Sequence, residues 1–170
     1  GKAIGLSGSD GGMIKAKPKA AELGYVGEIT EINVQPILDV IEMGYIPVIS
    51  TVGFDDDGNT YNINADTVAA GIAGRLKAES LISMTDIAGI LRDKDDPTTL
   101  ISKIFVEDAP KLMDDGIISG GMIPKVQCCV DAINLCVRKV FVIDGRIPHS
   151  IIIEVLTDEG IGTMFVKDDK

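Results

Sequence analysis

At 170 residues, the chain is close to one domain's length, for which about 150 residues is the working measure, and it can bury a core without disulfide or metal staples. Apolar residues at 45% against 25% charged exclude a disordered or low-complexity chain. A net charge of −10, with no tryptophan and only three tyrosines and four phenylalanines, argues against nucleic acid and anionic membrane as partners: their phosphates would meet a repulsive field, and bases would find no stacking surface.

The apolar period switches repeatedly between two and about 3.6 along the chain, the mark of strands alternating with helices. The expected class is α/β with a mostly parallel open sheet and helices on both faces. Residues 3–7 and 13–17 read as short strands around Gly8-Ser9-Asp10-Gly11-Gly12, a loop suited to a hairpin. Val34, Ile37, Leu38 and Ile41 follow helical spacing over 33–43, with Asn33 as N-cap, Pro36 in the first turn and Gly44 just past the end. Residues 45–50 then read as a buried strand, and Asp55-Asp56-Asp57-Gly58-Asn59 as a solvated surface turn.

The spacing of Val68, Ile72 and Leu76 predicts a helix over 64–76 capped by Asn64, followed by a strand over 81–84 and an exposed loop over 92–99. A helix over 106–115 stops at Gly116, and another runs from about Gly121 to Cys136. A strand over 139–143, a helix over 150–156 and a strand over 163–166 complete the order. Cys128, Cys129 and Cys136 lack zinc-site spacing and read as small buried residues of a helix. No run reaches the roughly 18 to 20 apolar residues of a membrane span, and Gly1-Lys2-Ala3-Ile4 has no signal-peptide layout, so a cytoplasmic protein is expected.

Three segments carry more polar design than packing needs. In Tyr61-Asn62-Ile63-Asn64-Ala65-Asp66, two amides and a carboxylate would share one face if the segment is extended, although capping and the helix dipole would explain Asn64 and Asp66 equally well. In Ile118-Ser119-Gly120-Gly121-Met122-Ile123-Pro124-Lys125, two glycines at a helix start leave backbone N–H groups open to a phosphate with Lys125 close by. The segment 81–89 ends a strand in Thr85 and Asp86, and ligands of open α/β sheets bind beyond the carboxyl ends of strands.

Taken together, G-K-A-I-G-L-S-G at 1–8, Y-N-I-N-A-D at 61–66, the segment 81–91, I-I-S-G-G-M-I-P-K at 117–125 and D-E-G-I-G-T-M at 158–164 resemble the amino acid kinase family, and within it the members that phosphorylate N-acetyl-L-glutamate. The resemblance implies the C-terminal portion of such an enzyme: residues 1–77 as the end of the acylamino-acid-binding lobe and 78–170 as the nucleotide-binding lobe. Family members are usually longer at the N-terminus, and the fold is accordingly expected to be incomplete there, with this chain alone turning over poorly. The implied reaction moves the ATP γ-phosphoryl group onto the side-chain carboxylate of N-acetyl-L-glutamate, a step of arginine biosynthesis. Lys125 would neutralise charge on the transferring group, Asp66 would orient lysines, and Asn62 and Asn64 would bind the acylamino acid. Thr85, Asp86, Ile117, Gly120, Gly121 and Met122 would bind the nucleotide. Magnesium would ride on the ATP phosphates, since no carboxylates cluster at coordinating spacing.

The order H-S-I-I-I-E from His149 to Glu154, followed by D-E-G-I-G-T, resembles the arginine-inhibited members. It implies an effector site with His149, Glu154, Gly160 and Gly162, where a carboxylate and exposed carbonyls suit a guanidinium, and a homo-oligomer, a dimer or a hexamer. The alternatives are a sibling kinase acting on glutamate, aspartate, carbamate or UMP, and a noncatalytic nucleotide-binding fragment.

Overall fold

The computed structural model describes residues 1–158 and 160–168, which leaves Glu159 of the D-E-G-I-G-T motif outside the described residues. It divides into two compact units, Gly1–Leu76 and Lys77–Lys170, each with its own sheets. The class is α/β as expected, and four of the seven strand pairings among the described residues are parallel. They make three sheets, one of two strands and two of four.

In the first unit, β1 (Lys2–Ser7) runs parallel to β4 (Tyr45–Ser50), from Lys2 opposite Tyr45 to Ser7 opposite Ser50. The other sheet has the order β3-β2-β5-β6, built from β2 (Ile14–Pro18), β3 (Gly27–Ile32), β5 (Val52–Phe54) and β6 (Thr60–Asn62). The hairpin expected between the first two strands is therefore not formed. β4 takes the ladder of β1, and the 8–12 loop carries the chain into a different sheet. Gly8 makes that path possible, because a Cβ there would run into the Val52 carbonyl oxygen and come within 2.8 Å of Ile14 Cδ1. The Ile14 N–H then donates to the Gly8 carbonyl at 2.6 Å.

α1 (Gln35–Glu42) begins after Asn33, whose Oδ1 accepts the Gln35 N–H at 3.1 Å from one residue outside the cap position, which Val34 occupies. Gly44, at φ 78°, ends it by donating its N–H to the Ile41 carbonyl. β4 is not the buried strand its apolar run implies: Ile46 and Val48 are each 59% exposed. Among the described residues β4 pairs only with β1; Ile49 packs on the core, while Ile46 and Val48 stay exposed. The core of this unit lies instead around Met13, Ile14, Ile37, Tyr61, Ile63, Val68 and Ile72, the last two from α2 (Ala65–Leu76).

The acidic turn joins β5 to β6, and Asp55 is more than a solvated charge. Its Oδ1 accepts the N–H groups of Asp57 and Asn59, and its Oδ2 accepts the Tyr61 hydroxyl at 2.6 Å. These donors, Tyr61 first, hold the Asp55 carboxyl down at about 2, while the same carboxylate pushes the Tyr61 phenol up to about 12.

The second unit has one sheet in the order β7-β9-β10-β8, from β7 (Ser80–Thr85), β8 (Lys103–Phe105), β9 (Lys139–Asp144) and β10 (Thr163–Val166). β7 and β9 are parallel over six residue pairs, from Ser80 opposite Lys139 to Thr85 opposite Asp144. β10 is antiparallel to β9 and parallel to β8. Val140, Val142, Ile143 and Phe165 of this sheet are fully buried, as are Val126 and Ala132 of α4 (Met122–Asn134). The helix expected over 106–115 opens as a 3₁₀ turn and becomes α3 (Ala109–Asp114) only at Ala109. α5 (Ser150–Leu156) follows β9. Cys129 is buried and Cys128 half-buried on α4, but Cys136 lies beyond its end, exposed and at φ 75°. The helix stops two residues before it, so Cys136 is not the buried helical residue its neighbours' pattern implied.

Candidate functional site

In the first unit, β6 delivers Asn62 to the start of α2. Tyr61 and Ile63 are buried, so Asn62 and Asn64 between and beside them face outward, as strand alternation requires. The extended run ends there. Asn64 Oδ1 accepts the Thr67 N–H at 3.1 Å, a helix N-cap, and Asp66 already lies on the first helical turn, half-buried. The three polar residues therefore share the junction but not a single extended face. A carboxylate at this end of a helix is favoured by its partial positive charge.

In the second unit, β7 ends at Thr85, whose hydroxyl lies 3.3 Å from Asp86 Oδ1. The chain then turns into Ile87–Ile90, which is pinned to β10: the Ile90 N–H donates to the buried Thr163 hydroxyl at 2.8 Å. Only glycine fits at 89, at φ 137° and with Thr163 Oγ1 2.6 Å from where a Cβ would stand. Beside this segment is a cavity of about 230 Å³ lined by Ile87, Gly89, Lys94, Ile117, Ser119 and Met122 among others. Ile117 and Met122 are thus brought together. Gly120 and Gly121 are exposed beside it, and Thr85 and Asp86 stand at its approach rather than in its wall. The volume is below the roughly 300–1,000 Å³ of drug-sized pockets, enough for part of a ligand.

The start of α4 is less open than its two glycines imply. Gly120 takes φ 57°, and the Met122 and Ile123 N–H groups turn back onto the Ser119 and Gly120 carbonyls, while Pro124 has no N–H to offer. What this turn does present is Lys125, half-buried, with Nζ 3.4 Å from Ser83 Oγ in the middle of β7. The amine of this α4 residue is thereby tied to β7.

The segment read as an effector site is split. His149, at φ 62°, precedes the first residue of α5, whereas Glu154 sits five residues on, about 7.5 Å along the axis. Glu154 Oε2 accepts the N–H groups of Ile161 and Gly162 at 2.7 and 3.0 Å, so it closes the loop that contains Gly160 and Gly162. Gly162 packs against the Val142 carbonyl and lies where a Cβ would be 2.7 Å from Ile143 Cγ2.

One charged pair escaped the sequence reading. Asp144, buried at the end of β9, is bound by Arg146 through Nε, Nη2 and the backbone N–H, at 2.9, 2.8 and 2.9 Å. The Arg146 donors hold the Asp144 carboxyl below its usual range, and Asp144, with a smaller contribution from Asp86, raises the guanidinium. The signal available was an acid, a glycine and an arginine directly after an apolar strand. Among the described residues no group of three or more His, Cys, Asp or Glu side chains could hold a metal ion, and no helix is long and apolar enough to cross a membrane.

A family model described as the amino acid kinase family matches residues 1–144. Curated relatives include acetylglutamate kinases from Desulforamulus reducens, 53% identical over 99% of this chain and 60% of that protein, and from Clostridioides difficile, 52% identical over 100% of this chain and 60% of that protein. The chain spans about 60% of the length of these relatives. Among solved structures, a Streptococcus mutans UA159 protein superimposes with a TM-score of 0.80 at 28% identity, covering 98% of this chain and 62% of the other. The N-acetylglutamate synthase of Neisseria gonorrhoeae, solved with coenzyme A and N-acetyl-glutamate, gives 0.83 at 24% identity over 99% of this chain and 38% of the other, a likeness of fold.

Proposed function

The chain belongs to the amino acid kinase family, and from that premise we propose that it is part of an ATP-dependent kinase that phosphorylates the side-chain carboxylate of N-acetyl-L-glutamate. The observation that carries this reading is the identity of 52–53% to acetylglutamate kinases over essentially the whole chain. Lys125, tied from α4 to Ser83 of β7, supports it.

The attacking group is a carboxylate, ionised at neutral pH, so no general base is required and catalysis consists of positioning and charge stabilisation. A carboxylate oxygen bonds to the γ-phosphorus as the bond to the ADP oxygen breaks, leaving an acyl phosphate and ADP. Lys125 neutralises charge gathering on the phosphoryl oxygens. Its length and the anchoring of its amine near Ser83 favour a fixed position over a solvated one. In the first unit, the lobe for the acylamino acid, Asn62 and Asn64 offer amides to the substrate and Asp66 orients cations. In the second, the nucleotide lobe, Ile117 and Met122 give the base an apolar wall, with Thr85, Asp86, Gly120 and Gly121 at its rim. Magnesium enters as the ATP complex. Arginine is the expected feedback inhibitor: Glu154 holds the 160–162 loop with one oxygen, leaving the other to meet a guanidinium, with His149, Gly160 and Gly162 completing the site in a homo-oligomer.

In the protein that contains this chain, ADP release should keep step with hydroxylamine-trapped acyl phosphate when N-acetyl-L-glutamate is the acceptor. Lys125→Ala should lower kcat about 100- to 1,000-fold, the usual cost of removing one preorganised charge-stabilising donor, while circular dichroism stays unchanged. Preference for glutamate, aspartate, carbamate or UMP, or an unaltered kcat in Lys125→Ala, would overturn the reading.

A further inference from the structure

Among the described residues, Asp144 is the buried side chain that carries a formal charge, and neither it nor Arg146 has a part in the phosphoryl transfer above. A carboxylate removed from water requires a partner. Arg146 supplies two side-chain nitrogens in fork geometry and its own backbone N–H, which fixes the guanidinium although its side chain is 68% exposed. The turn bearing it is tied to the next strand. Thr85 stands opposite Asp144, and the Gly145 N–H donates to the Thr85 carbonyl at 2.8 Å. Gly145 lies so close to β7 that a Cβ there would be 3.1 Å from Met84 Cε.

Asp86 follows Thr85 directly, and the Thr85 hydroxyl reaches its Oδ1. An anchored cation therefore stands where the chain leaves β7 and bends toward the 230 Å³ cavity. The carboxyl ends of adjacent parallel strands are where α/β sheets receive ligands. Arg146 is poorly placed to take a phosphate itself, since its fork is filled by Asp144, while Asp86 follows directly on the Thr85 carbonyl that receives the Gly145 N–H.

We propose that Arg146 is a positioning residue for the nucleotide end of the site: braced on the buried Asp144, it holds the Asp86 carboxylate and with it the 86–89 turn that forms the approach to the cavity. This rests on the nucleotide reading above. It predicts that Arg146 acts through Asp86 and not beside it.

The test uses the protein that contains this chain, with two readouts. Hydrogen exchange comes first, without nucleotide. Arg146→Ala should speed exchange of the amides from Ile87 to Gly89 by about tenfold, with those of β9 unchanged. Mg-ATP affinity by calorimetry is second. Arg146→Ala should weaken binding about tenfold in the wild-type background and by less than about twofold in an Asp86→Asn background, and Arg146→Lys, which keeps the charge but not the fork, should recover part of the loss. If Arg146→Ala fails to fold because it strands the Asp144 charge, Arg146→Ala with Asp144→Asn takes its place in both measurements. Unchanged exchange over 87–89, or an equal loss of affinity in both backgrounds, overturns the proposal. A wild-type chain that binds no ATP would instead count against the nucleotide reading, and the exchange result would still decide the role of Arg146.

Discussion

Asn64 stands where two roles meet, and its substitution separates them. Its Oδ1 accepts the Thr67 N–H at 3.1 Å, satisfying one of the orphan donors at the start of α2. The helix carries four alanines but also glycines at 71 and 74, and it buries Val68, Ala70, Ile72, Ala73 and Gly74, so its first turn has consequences for the core. Removing such a cap costs about 1 kcal/mol, within a range of about 0.5–2. With a urea slope of about 1–3 kcal/mol per M for a small unit, Asn64→Ala should lower the urea midpoint of the unit by about 0.3–1 M. Asn64→Asp keeps the acceptor and adds a charge favoured at this helix end, and should leave the midpoint where it is. Urea titration followed by circular dichroism, with the slope checked for constancy, gives both values. An Asn64→Ala midpoint equal to wild type would refute the capping argument. With the fold thus controlled, any loss of N-acetyl-L-glutamate affinity in Asn64→Asp reports the exchange of an amide donor for a carboxylate facing an anionic substrate and not a loss of fold.

The Asp55–Tyr61 bond makes stability depend on pH at both extremes. Asp55 titrates at about 2 when folded, below its ordinary 3.8, so its contribution is complete above pH 4 and is lost as pH falls toward 2. Tyr61, raised from 10.0 to about 12, contributes fully below pH 10 and loses that contribution as pH rises toward 12. In melting curves across pH, Tyr61→Phe should abolish the alkaline dependence and only soften the acid one, because Asn59 still donates to Asp55; identical profiles for the two proteins would refute this. At the other end of the chain, Glu154→Ala frees the Ile161 and Gly162 N–H groups and should speed their exchange, whereas Glu154→Gln keeps an acceptor and should preserve the loop while weakening arginine inhibition. Equal arginine constants for Glu154→Gln and wild type would remove Glu154 from the effector site.

The elements legible in the sequence were those whose side chains repeat. α1, α2 and α4 each present apolar residues at helical spacing, and β9 is an unbroken apolar run because both of its faces are covered. The strands β3, β5, β6 and β8 were not foreseen. Three of them are three-residue segments, too short to establish a period, and β3, Gly-Glu-Ile-Thr-Glu-Ile, interrupts its apolar pattern with acids opposite the lysines of β2, although Ile29 and Ile32 pack on the core. The hairpin failed for a related reason: glycine-rich composition announces a turn but not the direction in which the chain leaves it. At the site, the sequence showed Lys125 and the Asn64 cap, which the Thr67 N–H confirms, but not that the N–H groups at 122 and 123 turn back onto the chain. The Asp144–Arg146 pair was invisible because burial, which makes the acid notable, is not written in its neighbours' spacing.

The parallel ladder of the second unit has a consequence for the making of the protein. Among the described residues β7 is paired only with β9, and between Thr85 and Lys139 the chain must pass through β8, α3 and α4. On a ribosome adding about 5–20 residues per second, Leu81-Ile82-Ser83-Met84 emerges some seconds before the strand that covers it, with apolar side chains and an open backbone edge available to any other chain nearby. The antiparallel β9–β10 pair, being closer in sequence, closes after a delay about a third as long. The exposure of this edge during synthesis is therefore set by the interval between β7 and β9 and by translation speed, not by the stability of the finished fold.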